Sequence, residues 1–387
     1  MREKLELHCD VISGYAFSTS DWREEGIPVV KIGNISNGED ILCDEQTQYV
    51  DESFLAKLDE KYHISKGDVL ISLTGSHINQ PNSMVGRTCR SLTDRKYLLN
   101  QRAGKVLPFD NTNKNYLYYL LSTKAVKYDI ANRAYGGANQ VNVSPKDIKK
   151  LKWEFPDLEI QKKIAGVLST YDELIENNNK RIKLLEQMAE NLYKEWFVRF
   201  RFPGYENAKF ENGLPEGWKI KKVKDIVKRL PFGKLYKEAD VIGEGKIIVI
   251  DQSKEPYIGF HNDEPSHTAN IDIPIIIFGD HSCKFQLMIT PFSLSENVVP
   301  FVASNGIDTT YLYYLVKDLI ETTEYKRYWT ELVSKKVLLA DYDIQKQFSE
   351  AIKSNLLLIE SLKVQNRNLI KQRDLLLPRL VSGKLEV

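Results

Sequence analysis

Cysteine is scarce and scattered in this chain. Cys9, Cys43, Cys89 and Cys283 include no Cys-x-x-Cys pair. That argues against a disulfide framework and a structural zinc site, and it suits a reducing compartment. No run is long and apolar enough to span a membrane. The opening Met1-Arg2-Glu3-Lys4 leads into mixed residues rather than the apolar stretch of a leader, so a cytoplasmic protein is expected. An excess of charge is missing as well. The formal net charge is +1, so basic segments must act locally or beside a partner that supplies more charge. Catalytic signatures are lacking too. There is no Gly-x-x-x-x-Gly-Lys-Ser/Thr phosphate loop, although Gly243-Glu244-Gly245-Lys246 superficially suggests one. There is no Gly-x-Gly-x-x-Gly after a strand, no Gly-x-Ser-x-Gly elbow and no Asn-Pro-Pro-Tyr-like motif. The stretch His261-Asn262-Asp263-Glu264-Pro265-Ser266-His267 holds potential metal ligands without open-site spacing, and the pair His281 and Cys283 is no stronger.

Two long amphipathic stripes are present. In the first, Ile164, Leu168, Tyr171, Ile175, Asn178, Ile182, Leu185, Ala189, Leu192 and Trp196 follow one another in alternating steps of four and three. This is the seam of a coiled coil, on a helix over 157–200 roughly 60 Å long. The second, over 341–382, carries Phe348, Ile352, Asn355, Ile359, Leu362, Asn366, Leu369, Arg373, Leu376 and Leu380. The openings match: Asp157-Leu158-Glu159-Ile160-Gln161-Lys162 returns as Asp341-Tyr342-Asp343-Ile344-Gln345-Lys346. In each, an Asp suits the N-cap and an acidic residue meets the positive end of the helix dipole. Antiparallel pairing with Asn178 facing Asn366 brings Ile164 to Leu380, Leu168 to Leu376 and Trp196 to Phe348. The matched Asn pair then fixes the register.

The stretches between the helices read as globular domains over 1–156 and 218–340, with 201–217 as a polar linker. Strands are expected at Ile27–Ile32, Asp68–Leu73, Lys246–Ile250 and Pro274–Phe278, and helical spacing runs from Tyr116 to Val126. Tyr311-Leu312-Tyr313-Tyr314-Leu315 repeats Tyr116-Leu117-Tyr118-Tyr119-Leu120 letter for letter. Such an internal repeat is a strong organisational signal. The fold class is therefore mixed α+β: two globular domains separated by a long antiparallel two-helix coiled coil, with pseudo-two-fold symmetry.

Side chains suited to reading base edges cluster in loops. Tyr15 and Ser18 lie in the first. Thr74, Ser76, His77, Asn79 and Gln80 lie in the second. Arg133, Tyr135, Asn139 and Gln140 flank Gly136-Gly137 in the third. The same residue types also build turns. The second domain opens with Lys219, Lys221, Lys222, Lys224, Lys228, Arg229, Lys234 and Lys237. Such a run is a solvated face or, on a DNA-binding domain, a phosphate-holding one, with Lys222, Lys234 and Lys237 as candidates. Further candidates are His281 and Lys284 after the strand at Pro274–Phe278. Arg327 and Tyr328 lie in Tyr325-Lys326-Arg327-Tyr328-Trp329, the region equivalent to the third loop.

These residues carry a resemblance. The blocks Asp157–Ala165 and Leu192–Phe197, the C-terminal Leu380-Val381-Ser382-Gly383-Lys384-Leu385, the two domain openings, and Gly279-Asp280-His281 after its strand resemble the specificity subunit of type I restriction–modification enzymes. The resemblance implies two target-recognition domains, each reading one half of an asymmetric bipartite site in double-stranded DNA. The helices would set the spacer and dock two methyltransferase subunits, and motor-nuclease subunits would join. It implies a non-catalytic chain without cofactors or metal of its own. The S-adenosylmethionine, ATP and magnesium chemistry would belong to the partners. Two other readings stay open from the residues: a nuclease with a metal near His261 to His267, and a coiled-coil scaffold with two protein-binding heads.

Overall fold

The structure is a computed structural model that describes residues 2–36, 40–76, 85–137, 140–253, 255–304 and 306–387. The chain divides into two compact units, Met1–Glu176 with Asn366–Val387, and Asn177–Gln365.

In the first unit, β-branched runs bounded by turns build an antiparallel four-stranded sheet. Its order is Cys9–Ser13, Ala103–Pro108, Val69–Ser72, Thr88–Arg90. A second sheet contains the parallel pair Ile27–Val30 and Tyr97–Leu99. The helical spacing near Tyr116 becomes two helices, Lys114–Ser122 and Lys124–Ala131. Thr123 breaks the run, and its hydroxyl oxygen accepts the Val126 N–H at 3.3 Å to cap the second helix. The core joins Val11, Val69, Ile71, Val106, Tyr116 and Leu120 to Ile164, Leu168 and Leu380 of the long helices, with Leu376 packed against it.

The second unit repeats the plan. Its four-stranded sheet runs Val227–Arg229, Val298–Ala303, Ile275–Gly279, Phe285–Met288, again all antiparallel. Ile247–Ile250 and Phe292–Leu294 form the matching parallel pair. Both tyrosine-rich helices are capped alike. Asn113 Oδ1 accepts the Tyr116 N–H at 3.0 Å, and Asp308 Oδ1 accepts that of Tyr311 at 2.8 Å. The stretch expected as a linker is folded. Phe210–Glu211 and Leu214–Pro215 pair around Asn212-Gly213, both with positive φ, the backbone that a two-residue hairpin requires. Phe202 and Trp218 on either side are buried in the unit's core.

The long helices run Leu158–Tyr193, extended by a π turn at Lys194–Val198, and Tyr342–Val381. Every seam residue named above is buried or half-buried, whereas Val167, Leu174, Leu184 and Met188 off the seam are exposed. Within the first unit the start of the central helix packs beside the end of the C-terminal one. Within the second, Trp196 meets Phe348 with ring centroids 6.1 Å apart. The helix segments in each unit are therefore antiparallel. Asn178 and Asn366 are both buried.

Each long helix is locked to its globular part by a buried glutamine. Gln161 is 1% exposed; its Oε1 accepts the Asn113 N–H at 2.9 Å and its Nε2 donates to the Pro156 carbonyl at 2.8 Å. Gln345, also 1% exposed, accepts the Asp308 N–H at 3.0 Å and donates to the Ala340 carbonyl at 2.7 Å. The sequence repeat contains both glutamines, but Asn113 and Asp308, whose N–H groups they accept, lie 48 and 37 residues away in the chain.

Candidate nucleic-acid interface

The second and third loops of the first unit come together. Tyr135–Gly137 pairs with Gln140–Asn142, and Gln140–Asn142 with Thr74–Gly75, in one small antiparallel sheet. Gly136 has φ +143°, and a Cβ there would lie 2.3 Å from the Gln140 carbonyl oxygen, so the hairpin needs glycine. Tyr135 and Gln140 are exposed on this sheet, and Arg133 is exposed in the turn that leads into it. Thr74 differs from expectation. It is buried and its hydroxyl donates to Asn142 Oδ1 at 2.7 Å, so it supports the hairpin instead of facing a ligand. Ser76 is half-buried. His77, Asn79, Gln80 and Asn139 lie outside the described residues.

The first loop is mainly architectural. Tyr15 is half-buried and packs edge-on against Phe17 at 5.0 Å. Ser18 is exposed and starts a short helical turn, its N–H donating to Asp21 Oδ2 at 2.7 Å.

In the second unit the basic run is exposed throughout. Lys222 ends the edge strand Lys219–Lys222, which pairs with Lys336–Leu339. Lys237 is exposed at a helical turn. Lys234 forms an ion pair with Asp263 at 2.7 Å, and that hydrogen bond holds its ammonium above the usual lysine range. Lys284 is spent on structure. Burial lowers its pKa, and its ammonium donates to the Asp251 carbonyl at 3.2 Å and to that of Glu255. His281 donates from Nδ1 to the Lys326 carbonyl at 2.9 Å.

Arg327 and Tyr328 have opposite fates. The Arg327 side chain is 74% exposed, 3.9 Å from Asp280 Oδ2, at a cleft of about 530 Å³ shared with Arg229, Phe232, Asn297 and Trp329. Tyr328 is 1% exposed. Its hydroxyl accepts the N–H groups of Thr323 and Glu324 at 2.7 and 2.8 Å and donates to the Glu324 carbonyl at 2.8 Å. Tyr328 is thus a core residue that shapes a loop and not a surface contact. The alternation of aromatic and basic letters in this segment does not reveal which ring turns inward.

The metal-ligand candidates are also spent on packing. His261 stacks on Tyr236 at 4.1 Å and bonds Ser293 Oγ through Nε2 at 2.8 Å. His267 stacks on Phe292 at 4.9 Å and faces the Phe232 carbonyl at 3.3 Å. Burial lowers both imidazole pKa values. Among the described residues no group of three or more His, Cys, Asp or Glu could hold a metal ion.

Two units of one topology, each raising a polar loop beside the same strand, describe a duplicated binding module. Residues 6–187 match the profile of the type I restriction modification DNA specificity domain. The type I restriction enzyme MjaIX specificity subunit of Methanocaldococcus jannaschii is 29% identical over 318 residues, 74% of this chain and 73% of its own. The MjaVIII specificity subunit of that organism is 27% identical over 302 residues, 70% of each chain. The chain is thus similar to type I restriction specificity subunits, and the family profile covers its first domain and most of its central helix. A crystal structure of a type I restriction-modification S subunit from M. genitalium shares the fold, with a TM-score of 0.58 at 15% identity over 98% of this chain and 96% of that one. Among the described residues, no helix of this chain is long and apolar enough to cross a membrane.

Proposed function

We propose that this chain supplies DNA sequence specificity, and no catalysis, to a type I restriction–modification complex. Each globular domain reads one half of an asymmetric bipartite site in duplex DNA. The observation that carries this is the duplication itself: one topology twice, with different exposed side chains on the loops. In the first domain Arg133, Tyr135 and Gln140 carry groups able to address base edges and phosphates; in the second, Arg327 does so. The exposed Lys219, Lys221, Lys222 and Lys224 hold backbone phosphates without reading sequence.

The near-neutral net charge leaves room for partners that close around the DNA and add phosphate contacts. The exposed apolar side chains of the central helix, Val167 and Leu174 in the first unit and Leu184 and Met188 in the second, support docking of methyltransferase subunits, two per chain, with motor-nuclease subunits joining them. S-adenosylmethionine, ATP and magnesium act in those partners, in the cytoplasm. The test is selection from a random duplex library by this chain complexed with its methyltransferase partner. Enrichment of two fixed blocks around an unread gap is expected. Enrichment of nothing, with the complex intact, would contradict the reading and favour a protein-binding scaffold.

A further inference from the structure

The two recognition loops are fastened by the same bond. The Val143 N–H donates to the Leu73 carbonyl at 2.9 Å in the first unit, and the Tyr328 N–H to the Asp280 carbonyl at 2.8 Å in the second. The residue after each receiving carbonyl also grips its loop: Thr74 through Asn142, His281 through the Lys326 carbonyl. The loops differ in length and letters, yet each lifts one tyrosine into solvent. Tyr135 is 60% exposed and Tyr325 85%.

Tyr325 is presented rigidly. Its ring lies face to face on His281, centroids 4.7 Å apart and planes 6° from parallel. The Tyr328 hydroxyl pins the preceding Thr323 and Glu324, and His281 pins the following Lys326. Arg327, two residues on, is exposed. Among the described residues only His281 stacks on the Tyr325 ring, whose other face is open to solvent, so folding alone does not account for holding it there. A fixed aromatic face beside cationic side chains suits a nucleobase, whose own face stacks on aromatic rings.

We propose that Tyr325, seated on His281, contacts the second half-site by stacking on a base and partly unstacking one base step. This rests on the specificity-subunit reading above. Stacking on a fixed ring favours steps that open easily, such as pyrimidine–purine steps, so the contact selects by deformability as well as by face.

The test uses the full chain with its methyltransferase partner and the duplex selected by the wild-type complex. 2-Aminopurine replaces one base at a time through the second half-site. Fluorescence should rise at one position with wild type and with Tyr325→Phe, which keeps the ring. With Tyr325→Ala that rise should vanish and affinity should fall about tenfold, the scale of one stacked base. Because the ring is solvent-exposed, the melting temperature of Tyr325→Ala should equal that of wild type. A lowered one would make the ring structural and overturn the proposal. So would unchanged fluorescence and affinity in Tyr325→Ala. If the wild-type complex selects no sequence, the subunit reading itself falls and takes this proposal with it. Selection by wild type with no effect of Tyr325→Ala removes the proposal alone.

Discussion

Buried polar side chains decide much of this structure, and Asp68 shows how. Its carboxylate accepts from Lys114 Nζ at 2.7 Å and the Ser65 N–H at 2.9 Å, and pairs with the buried Lys105 at 2.9 Å. Burial by itself would raise its pKa; the hydrogen bonds from Lys114, Ser65 and Lys105 outweigh that and hold it below the usual carboxylate range. A depressed folded pKa stabilises the fold above the unfolded value near 3.9 and loses that contribution as pH falls through the folded one. Acid melting curves of wild type should therefore fall more steeply between about pH 5 and about pH 3 than those of Asp68→Asn; equal slopes would refute the coupling. Gln161 makes a second case. Gln161→Ala leaves the Asn113 N–H and the Pro156 carbonyl without their partner, at about 1–3 kcal/mol. Thermal unfolding should show that loss, and an unchanged transition would deny the glutamine its locking role.

At the scale of elements, the coiled-coil seam was fully legible, because a single stripe with a fixed period requires no knowledge of distant chain. The break at Thr123 was not, since Tyr116 to Val126 keeps helical spacing while a capping hydroxyl divides it. The folded hairpin at Asn212-Gly213 was legible in principle from that dipeptide but was masked by the polar letters around it. One contrast between the halves appears only in three dimensions. In the first unit Asp172 binds Arg90 at 2.6 Å, Arg373 at 2.8 Å and the Tyr119 hydroxyl at 2.5 Å, joining the globular part to both helices. The offset that carries Asp157 onto Asp341 carries Asp172 onto Leu356 and Ala189 onto Arg373. Leu287 opposite Ile276 matches Arg90 opposite Val69. So the ionic joint of one unit is apolar core in the other, where Ala189, Leu287 and Leu356 pack. Removing Asp172 leaves the buried Arg90 without its carboxylate and Arg373 with only the exposed Asp374 at 2.8 Å, so Asp172→Ala should destabilise by about 3–5 kcal/mol. The concerted change Arg90→Leu, Asp172→Leu, Arg373→Ala should be neutral or stabilising by about 1–4 kcal/mol. Denaturant unfolding of both variants measures this; a triple variant weaker than Asp172→Ala would contradict it.

For the whole molecule, the duplication was readable from the matched helix openings and the tyrosine repeat, and the four-stranded sheet and the parallel strand pair follow it in both units. Which of the candidate side chains face solvent was only partly readable. Base-reading residue types also build turns, so Thr74, Lys284 and Tyr328 turned inward while Arg133, Tyr135, Gln140 and Arg327 stayed outside. If the helices set the spacer, deleting seven residues from each shortens them by about 10 Å. The site selected by such a variant should keep both half-sites and close the gap between them. Altered half-sites with the original gap would exclude the helices as the ruler.

The measurement closest to the central claim is a methylation map. This chain and its methyltransferase partner are expressed in a host free of adenine methylation, and modified bases are located by long-read sequencing. The account predicts one asymmetric motif in two blocks around an unread spacer, lost when this chain is omitted. Methylation that persists without the chain, or that follows no bipartite motif while the complex is intact, would contradict it.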